Sequence, residues 1–197
     1  MPELPEVETI RRDLAPELEG RRISAVRIHH ADIILDSLSG PEFSRRLEGR
    51  LIRGVDRRAK WLLLRFDDGL LVTQLRMTGR FAIGRGSVPP LAGFQHVAAE
   101  FDLDDGRTLF YDDVRRLGGF MLLTRGEWTR EEARFGPEPL DAYRKYLEER
   151  QAAGDFTIHE KAFEDAFWRY FTSDFMHDFY EPGSKEEAQA FSIPPWE

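Results

Sequence analysis

The first stretch of the chain has the apolar spacing of an amphipathic helix. Val7, Ile10, Leu14 and Leu18 recur every three or four residues, which places them along one face of an α-helix. The two prolines of "MPELPEVETI" are compatible with a helix start, because the first-turn amides have no partner within the helix. The pattern therefore predicts an N-terminal helix.

From about residue 22 to residue 125 the pattern changes to short alternations of apolar and polar positions. They are visible in "RRISAVRIHH", in "RLIRGVDRRAKWLLLRFDDGLLVTQLRMTGRFAIG" and in "HVAAEFDLDDGRTLFYDDVRRLGGFMLL". Asp68-Gly69 and Asp105-Gly106 separate apolar runs and indicate hairpin turns. A helix followed by hairpins predicts a mostly β, α+β fold, in which the N-terminal helix lies on a two-layer β-sandwich.

The prolines and glycine of "RFGPEPLD" (residues 134–141) indicate a domain boundary. We therefore expect one domain over residues 1–140 and a short helical segment over residues 141–197. In that segment, five phenylalanines recur at every fourth position, which predicts an aromatic amphipathic helix. They are Phe163, Phe167, Phe171, Phe175 and Phe179.

Composition narrows the class of protein without assigning a function. The chain is 41% hydrophobic and 32% charged, the balance of a globular protein. No apolar run approaches the roughly 20 residues that span a bilayer, and no secretory signal is evident. The absence of cysteine excludes disulfides, thiol catalysis and a thiolate zinc site. The expectation is a cytoplasmic protein.

The formal net charge of −8 is carried mostly by the C-terminal part of the chain. Residues 1–140 hold 22 Lys+Arg against 23 Asp+Glu, whereas residues 141–197 hold 6 against 13. Basic residues of the first part cluster within 45–46, 50–60 and 115–116. A nearly neutral domain with basic clusters can hold a phosphate backbone, because binding follows the local field rather than the total charge.

The N-terminal motif contains candidate catalytic groups. If Met1 is removed, Pro2 presents a secondary amine with a reference pKa of about 8. Such an amine attacks an aldehyde or acetal-type carbon to give an iminium ion. Glu3 could donate a proton to a leaving or ring oxygen, and Glu6 could handle a second proton. The alternative is a helix start whose acidic first turn complements the helix dipole and has no catalytic role.

The motif "MPELPEVETIRR" resembles the N-terminus of the formamidopyrimidine-DNA glycosylase family, bacterial base-excision repair enzymes for oxidised purines. The resemblance continues in order through "VDRRAKWLLLRF", "LRMTG", "GRTLFYDDVRRLG" and "FGPEPL", and covers residues 1–140. Leu4 favours the oxidised-purine branch, because the related endonuclease VIII branch tends to have glycine there. The resemblance implies a DNA repair enzyme that is both glycosylase and abasic-site lyase, with damaged double-stranded or abasic-site DNA as its partner.

The resemblance also implies catalytic roles for four residues. Pro2 would attack the sugar C1′ to form a Schiff base, Glu3 would protonate the ribose ring oxygen, and Glu6 would support sugar and base chemistry. β- and δ-elimination would then cut the strand on both sides of the damaged nucleotide. Lys60 in "RRAK" would contact the phosphate near the lesion, although its sequence context alone describes a solvated strand lysine.

Family members fill the gap left by the extruded base with three side chains, which align with Met77, Arg115 and Leu117. Arg116 would be a further DNA-contacting residue. An apolar wedge combined with a guanidinium for the orphaned base is physically sensible. Without the resemblance, Met77 is interpreted as a core residue and the two arginines as surface residues. The family's usual "DPRRFG" is "DVRRLG" here, so Val114 replaces a proline and Leu117 an aromatic wedge.

Family members continue with a helix–two-turns–helix module and a four-cysteine zinc finger, and neither motif appears in residues 141–197. We therefore expect no zinc and no other cofactor, and weakened DNA binding, because lost phosphate contacts reduce affinity steeply. The histidines form no ligand-like cluster and are interpreted as structural or solvated. They are His29, His30, His96, His159 and His177.

Alternatives stay open for the tail and for the function. The Phe163–Phe179 stripe either packs on the sandwich or, within residues 155–180, contacts a protein partner or occupies the DNA cleft as an acidic mimic. A chain altered by truncation, frameshift or design is a third interpretation. The alternative to a repair enzyme is a non-catalytic relative that acts as a binding or regulatory protein. Oligomeric state is not predicted.

Overall fold

The computed structural model describes residues 4–86 and 93–136, together with positions 89, 138, 141, 145, 148, 149 and 152. The helices are α1 (Leu4–Leu18), a short 3-10 helix (Ala31–Ile33), α2 (Gly40–Leu47) and α3 (Arg125–Glu132). The strands are β1 (Ile23–Ile28), β2 (Gly54–Arg58), β3 (Trp61–Arg65), β4 (Gly69–Gln74), β5 (Arg80–Arg85), β6 (Val97–Leu103), β7 (Arg107–Asp112) and β8 (Gly119–Thr124).

The strands form two antiparallel four-stranded sheets. The first has the order β1-β6-β7-β5 and the second has the order β2-β3-β4-β8. The turn at Asp68-Gly69 joins β3 to β4, and the turn at Asp105-Gly106 joins β6 to β7, where Gly106 adopts φ +80°. Both hairpins were expected from these dipeptides. The prediction of an α+β fold with two sheets and an N-terminal helix is confirmed.

The core lies between the two sheets and is centred on Phe120. This β8 ring meets Phe101 of β6 with centroids 5.4 Å apart and Tyr111 of β7 at 4.8 Å, both edge-on. Phe43 of α2 adds a third ring at 6.1 Å. Edge-to-face contacts of this kind are favourable beyond the area that they bury. One residue of the second sheet is thereby surrounded by residues of the first.

Helix α1 buries the face that the sequence pattern predicted. Val7, Leu14 and Leu18 are buried in the core, and Ile10 packs against it from a partly buried position. Because α1 packs chiefly on β2, it lies over the second sheet. The helix therefore brings residues 4–10 of the N-terminal motif to the β2 edge of the second sheet.

Helix α2 corrects the expectation of strands throughout residues 22–125. Ser39 caps the helix by accepting a hydrogen bond from the amide of Glu42, at 3.4 Å. Phe43 and Leu47, four residues apart, are both fully buried. A serine three residues before a glutamate is a helix-start signal, and burial of an i, i+4 pair favours a helix over a strand here.

Helix α3 was also not predicted, although the chain contains its start signal. Thr124 and Glu127 form a reciprocal capping box, in which each side chain accepts a hydrogen bond from the other residue's amide. Trp128 is buried with Leu63 and Val72 on the outer face of the second sheet. The helix thus covers a sheet face that would otherwise expose apolar residues to water.

Contacts divide the chain into two compact units, Met1–Gly136 and Pro137–Glu197. The predicted aromatic helix (Phe163–Phe179) and the proposed partner segment at residues 155–180 lie outside the described residues. The described helices include none whose length and hydropathy would allow it to cross a membrane.

Candidate functional site

Of the four predicted catalytic residues, the structure describes two, Glu6 and Lys60. Pro2 and Glu3 lie outside the described residues. Glu6 is exposed in the first turn of α1, and Lys60 is exposed in the turn between β2 and β3. Helix α1 packs on both of these strands. The element that carries the N-terminal motif therefore lies against the hairpin that carries Lys60.

Two loops carry the residues that the resemblance assigns to gap filling. Met77 belongs to the β4–β5 loop (residues 75–79), and Arg115 and Leu117 belong to the β7–β8 loop (residues 113–118). Arg115 Nη1 lies 3.2 Å from Met77 Sδ. The side chains of Met77 and Leu117 are 47% and 51% exposed. The interpretation of Met77 as a core residue is therefore wrong.

Left-handed backbone conformations recur beside the predicted site residues. Among the described residues, three non-glycine residues have positive φ: Ala59 at 50°, Arg76 at 52° and Arg116 at 47°. They lie next to Lys60, next to Met77 and within the β7–β8 loop, respectively. This conformation is unfavourable for residues with a Cβ and concentrates at functional positions. Each of the three turns that carries a described gap-filling residue or Lys60 thus contains one such position.

The two adjacent arginines of the β7–β8 loop point to different partners. Arg116 pairs with Asp32 through Nε at 3.0 Å, and its Nη1 lies 3.2 Å from Nδ1 of His30. Arg115 instead contacts Met77. The Arg116–Asp32 pair is exposed to solvent, so its net contribution to stability is small. Arg116 thus contacts the 3-10 helix and the residue before it, whereas Arg115 and Met77 form an exposed cluster.

A buried ion pair that the sequence did not reveal connects α1 to the Lys60 turn. Glu8 and Arg57 side chains are 7% and 5% exposed, and Arg57 Nε lies 3.1 Å from the Glu8 carboxylate. Arg57 Nη1 also donates to the carbonyl of Ala59 at 2.9 Å. Burial alone would raise the pKa of Glu8, but hydrogen bonds from three arginines outweigh it and lower that pKa. They are Arg11, Arg12 and Arg57.

Three aromatic rings hold the same turn from its other side. Trp61, which follows Lys60, lies 6.4 Å from Trp128 and 5.9 Å from Phe135 between ring centroids. The guanidinium of Arg58 lies over the Phe135 ring at 5.4 Å. Both neighbours of the Ala59-Lys60 dipeptide are therefore anchored by α3 and the residues that follow it.

Leu35 is a further exposed apolar residue near the β7–β8 loop. Its amide donates to the carbonyl of Phe120 at 2.8 Å, and its side chain lies against the open face of Gly119. The described large hydrophobics that are exposed include only Met77, Val114 and Leu117 besides Leu35. Sequence reasoning missed Leu35, because its position follows from the packing of residues 31–35 against β8.

Comparison with known proteins identifies the family. Residues 1–120 match the formamidopyrimidine-DNA glycosylase N-terminal domain. The formamidopyrimidine-DNA glycosylase of Moorella thermoacetica is 46% identical over 145 residues, which cover 72% of this chain and 51% of the relative. That of Chloroflexus aurantiacus is 42% identical over 143 residues, covering 72% and 50%. This chain belongs to the formamidopyrimidine-DNA glycosylase family.

Solved structures show the same relationship. The Lactococcus lactis Fpg, in a complex with DNA containing an abasic site, superposes with a TM-score of 0.60 at 28% identity, covering 66% of this chain and 47% of that one. A complex of the inhibited L. lactis enzyme with N7-benzyl-Fapy-dG-containing DNA gives the same score at 29% identity, with coverage of 66% and 47%. The chain spans about half the length of the curated relatives it matches.

Proposed function

We propose that this protein acts in DNA base-excision repair as a glycosylase and abasic-site lyase for oxidised purines, with Pro2 as nucleophile. The observation that carries the proposal is the meeting of Arg115 and Met77 at 3.2 Å on exposed loops of the family's fold. These residues come from separate loops, 38 positions apart. Their arrangement supplies an apolar side chain and a guanidinium at one place, which suits a gap in a base stack.

The reaction follows from the chemistry of a secondary amine. The Pro2 nitrogen attacks C1′ and loses its proton, and the glycosidic bond breaks as its electron pair leaves with the base, which takes up a proton. Glu3 protonates the ring oxygen, so that the C1′–O4′ bond opens and an iminium ion forms. Loss of a C2′ proton drives β-elimination of the 3′ phosphate, and a second elimination releases the 5′ phosphate. Glu6 assists these proton transfers, and water then hydrolyses the iminium.

The exposed residues serve DNA binding and base extrusion. Lys60 binds a phosphate near the lesion as a compact positive charge. Met77 and Leu117 occupy the gap left by the extruded base, while Arg115 hydrogen-bonds the orphaned base. Extrusion costs a few kcal/mol, which the inserted side chains offset in part. Leu117 stacks less well on bases than an aromatic ring, so weak discrimination among opposite bases is part of the proposal.

DNA is the proposed partner, which would place the protein at the nucleoid in the cytoplasm. Residues 141–197 hold 13 acidic side chains against 6 basic ones, a balance that repels a phosphate backbone, so we propose weak DNA binding at physiological salt. Turnover on oxidised-purine duplexes should therefore be slow. Abasic-site cleavage should be less affected, because it requires no recognition of a damaged base.

Borohydride trapping tests the amine chemistry directly. Reduction of the iminium on abasic-site DNA joins Pro2 to C1′ through a stable C–N bond. We expect a covalent protein–DNA adduct at low salt, in protein whose N-terminus is Pro2 by mass spectrometry. The matched control carries one additional residue before Pro2. That residue converts the nitrogen to an amide without changing any side chain, so no adduct should form.

Glu3→Gln separates base excision, which needs protonation of the ring oxygen, from trapping on an abasic site. The abasic sugar already equilibrates with its open aldehyde, so this variant should lose base excision more than trapping. If protein with a free Pro2 gives no adduct while still binding abasic DNA, the enzyme proposal is wrong and the non-catalytic alternative is favoured.

A further inference from the structure

One buried carboxylate joins the two loops that carry the exposed cluster. Asp113, the first residue of the β7–β8 loop, is only 1% exposed. Its Oδ2 accepts hydrogen bonds from the Gly118 amide at 2.9 Å and from the Tyr111 hydroxyl at 3.2 Å. Its Oδ1 accepts from the Thr78 hydroxyl and from the Arg115 amide, the latter at 3.3 Å.

These four hydrogen bonds use the full acceptor capacity of a carboxylate, which has about four lone-pair sites. The donors belong to different parts of the chain: Thr78 to the β4–β5 loop, Arg115 and Gly118 to the β7–β8 loop, and Tyr111 to β7. Thr78 adds a second connection, because its hydroxyl oxygen accepts from the Arg115 amide at 3.2 Å. Asp113 therefore fixes the position of one loop relative to the other.

The phenol of Tyr111 fits between the same two loops. A Cβ added to Gly79 would lie 2.6 Å from the Tyr111 hydroxyl, and one added to Gly118 would lie 2.4 Å from it. Each loop therefore needs a glycine where it passes this oxygen. Burial, together with the charge of Asp113, raises the pKa of Tyr111. The phenol thus stays protonated and remains a donor to the carboxylate.

We propose that Asp113 is the positioning residue for the gap-filling side chains. Met77 directly precedes the donor Thr78, Arg115 is itself a donor through its amide, and Leu117 directly precedes the donor Gly118. This inference rests on the proposed function, because it assigns Asp113 to the insertion of those side chains into DNA. Asp113 itself touches neither the DNA nor the reacting sugar. It acts by holding Met77 and Arg115 in contact before DNA binds, so that inserting them requires little further ordering.

The test compares insertion with the chemistry at Pro2. In Asp113→Asn, the amide oxygen can accept two hydrogen bonds, while the NH₂ group faces two donors. Insertion is measured as the fluorescence increase of 2-aminopurine placed opposite an abasic-site analogue. We expect this increase to be lost and base excision to fall about tenfold or more, as for an unsatisfied buried group. Borohydride trapping on a pre-formed abasic site should change by no more than about threefold, because it does not require insertion.

Asp67→Asn is the matched control. Asp67 is an exposed carboxylate in the β3–β4 hairpin, where it pairs with Arg53 at 2.8 Å. The same chemical change there should leave fluorescence, excision and trapping at wild-type values. Thr78→Val serves as the second variant if Asp113→Asn does not fold, since it removes one of the connections between the loops from a less buried position. It should reduce insertion in the same direction.

The outcomes distinguish this inference from the proposed function. Parallel loss of trapping, excision and thermal stability in both loop variants would show that Asp113 is merely structural. Normal insertion in a folded Asp113→Asn protein would also overturn the inference, as would a wild-type protein that gives no fluorescence response. If the wild type gives the 2-aminopurine fluorescence increase but no trapped adduct, the proposed chemistry of Pro2 is wrong. The positioning role of Asp113 is then decided by the fluorescence of Asp113→Asn alone.

Discussion

Glu8 illustrates how a single residue can matter without entering the chemistry. Its carboxylate is buried, and hydrogen bonds from three arginines replace the hydration that it loses on folding. Its partner Arg57 is equally buried and holds the carbonyl of Ala59. Removal of one member of a buried ion pair leaves the other charge without compensation, which is more costly than the loss of an exposed pair. Glu8 therefore supports both α1 and the Lys60 turn.

Glu8→Gln should lower the free energy of unfolding by about 3 kcal/mol at neutral pH. Because the folded-state pKa of Glu8 lies below its ordinary value of 4.5, the carboxylate stabilises the fold above that pH. This contribution is lost as the pH falls through the lowered pKa, so the difference between variant and wild type should shrink in acid. Urea unfolding at several pH values measures it.

Glu17→Gln provides the control on the same helix. Glu17 is about half exposed and pairs with Arg107, so its removal should cost less than about 1 kcal/mol. Equal losses for the two variants would contradict the importance of burial at Glu8.

At the scale of elements, the β7–β8 loop combines a rigid base with an exposed tip. The Arg116 amide donates to the carbonyl of Asp113 at 3.2 Å, which closes a β-turn over residues 113–116. Val114 occupies the second position of this turn, and its side chain is exposed. None of the hydrogen bonds among the described residues uses its amide. Proline is favoured at that position, because its fixed φ suits the turn.

Val114→Pro should stabilise the protein by about 0.4–1 kcal/mol, because it reduces the freedom of the unfolded chain. Val114→Ala is the matched control and should change stability by less than about 0.5 kcal/mol, since the valine side chain is largely in water. Thermal unfolding compares the three proteins. A lower melting temperature for the proline variant than for the alanine variant would mean that the turn does not accept the proline ring.

Helix α3 shows why some elements were missed from the sequence. Its capping box is encoded locally in Thr124 and Glu127, but a short helix is marginal without tertiary contacts. Trp128 provides these contacts by packing on the outer face of the second sheet. The preceding strands are predicted correctly as strands, but simple alternation does not describe their burial. β4 and β7 are each buried at five consecutive positions, because both faces of these inner strands are covered.

For the whole molecule, the distribution of charge matters more than the net value of −8. The first 140 residues are nearly neutral, with 22 basic and 23 acidic side chains, and 21 of the 22 basic residues are arginine. Lys60 is the single lysine in this region. Because lysine and arginine differ in hydration and geometry, the ammonium group of this predicted site residue can be tested separately from the guanidinium groups of the domain.

Lys60→Gln should therefore weaken binding to abasic-site DNA and reduce the slope of log K against log salt by about 0.9, the value for one phosphate contact on a duplex. Lys60→Arg retains the charge and should leave the slope unchanged. Fluorescence anisotropy at several salt concentrations measures both variants. An unchanged slope in Lys60→Gln would exclude a phosphate contact at this residue.

Local patterns in the amino-acid chain are sufficient to predict several elements of the fold. The apolar face of α1 and the hairpin turns at Asp68-Gly69 and Asp105-Gly106 follow from spacing and turn chemistry. The motif order likewise indicated the family and named the candidate residues Pro2, Glu3 and Lys60. These features are readable because each is encoded within a few consecutive positions.

Contacts between residues that are distant in sequence depend instead on how the elements pack. Arg115 contacts Met77 across 38 positions, Glu8 pairs with Arg57 across 49, and Asp113 gathers donors from two loops. No sequence period reports these contacts, because they arise when helices, sheets and loops that are distant in sequence pack together. Burial decides how much each charged group depends on its partners. An exposed Asp113 would be hydrated by water, whereas the buried carboxylate needs a hydrogen-bond donor at each of its acceptor sites.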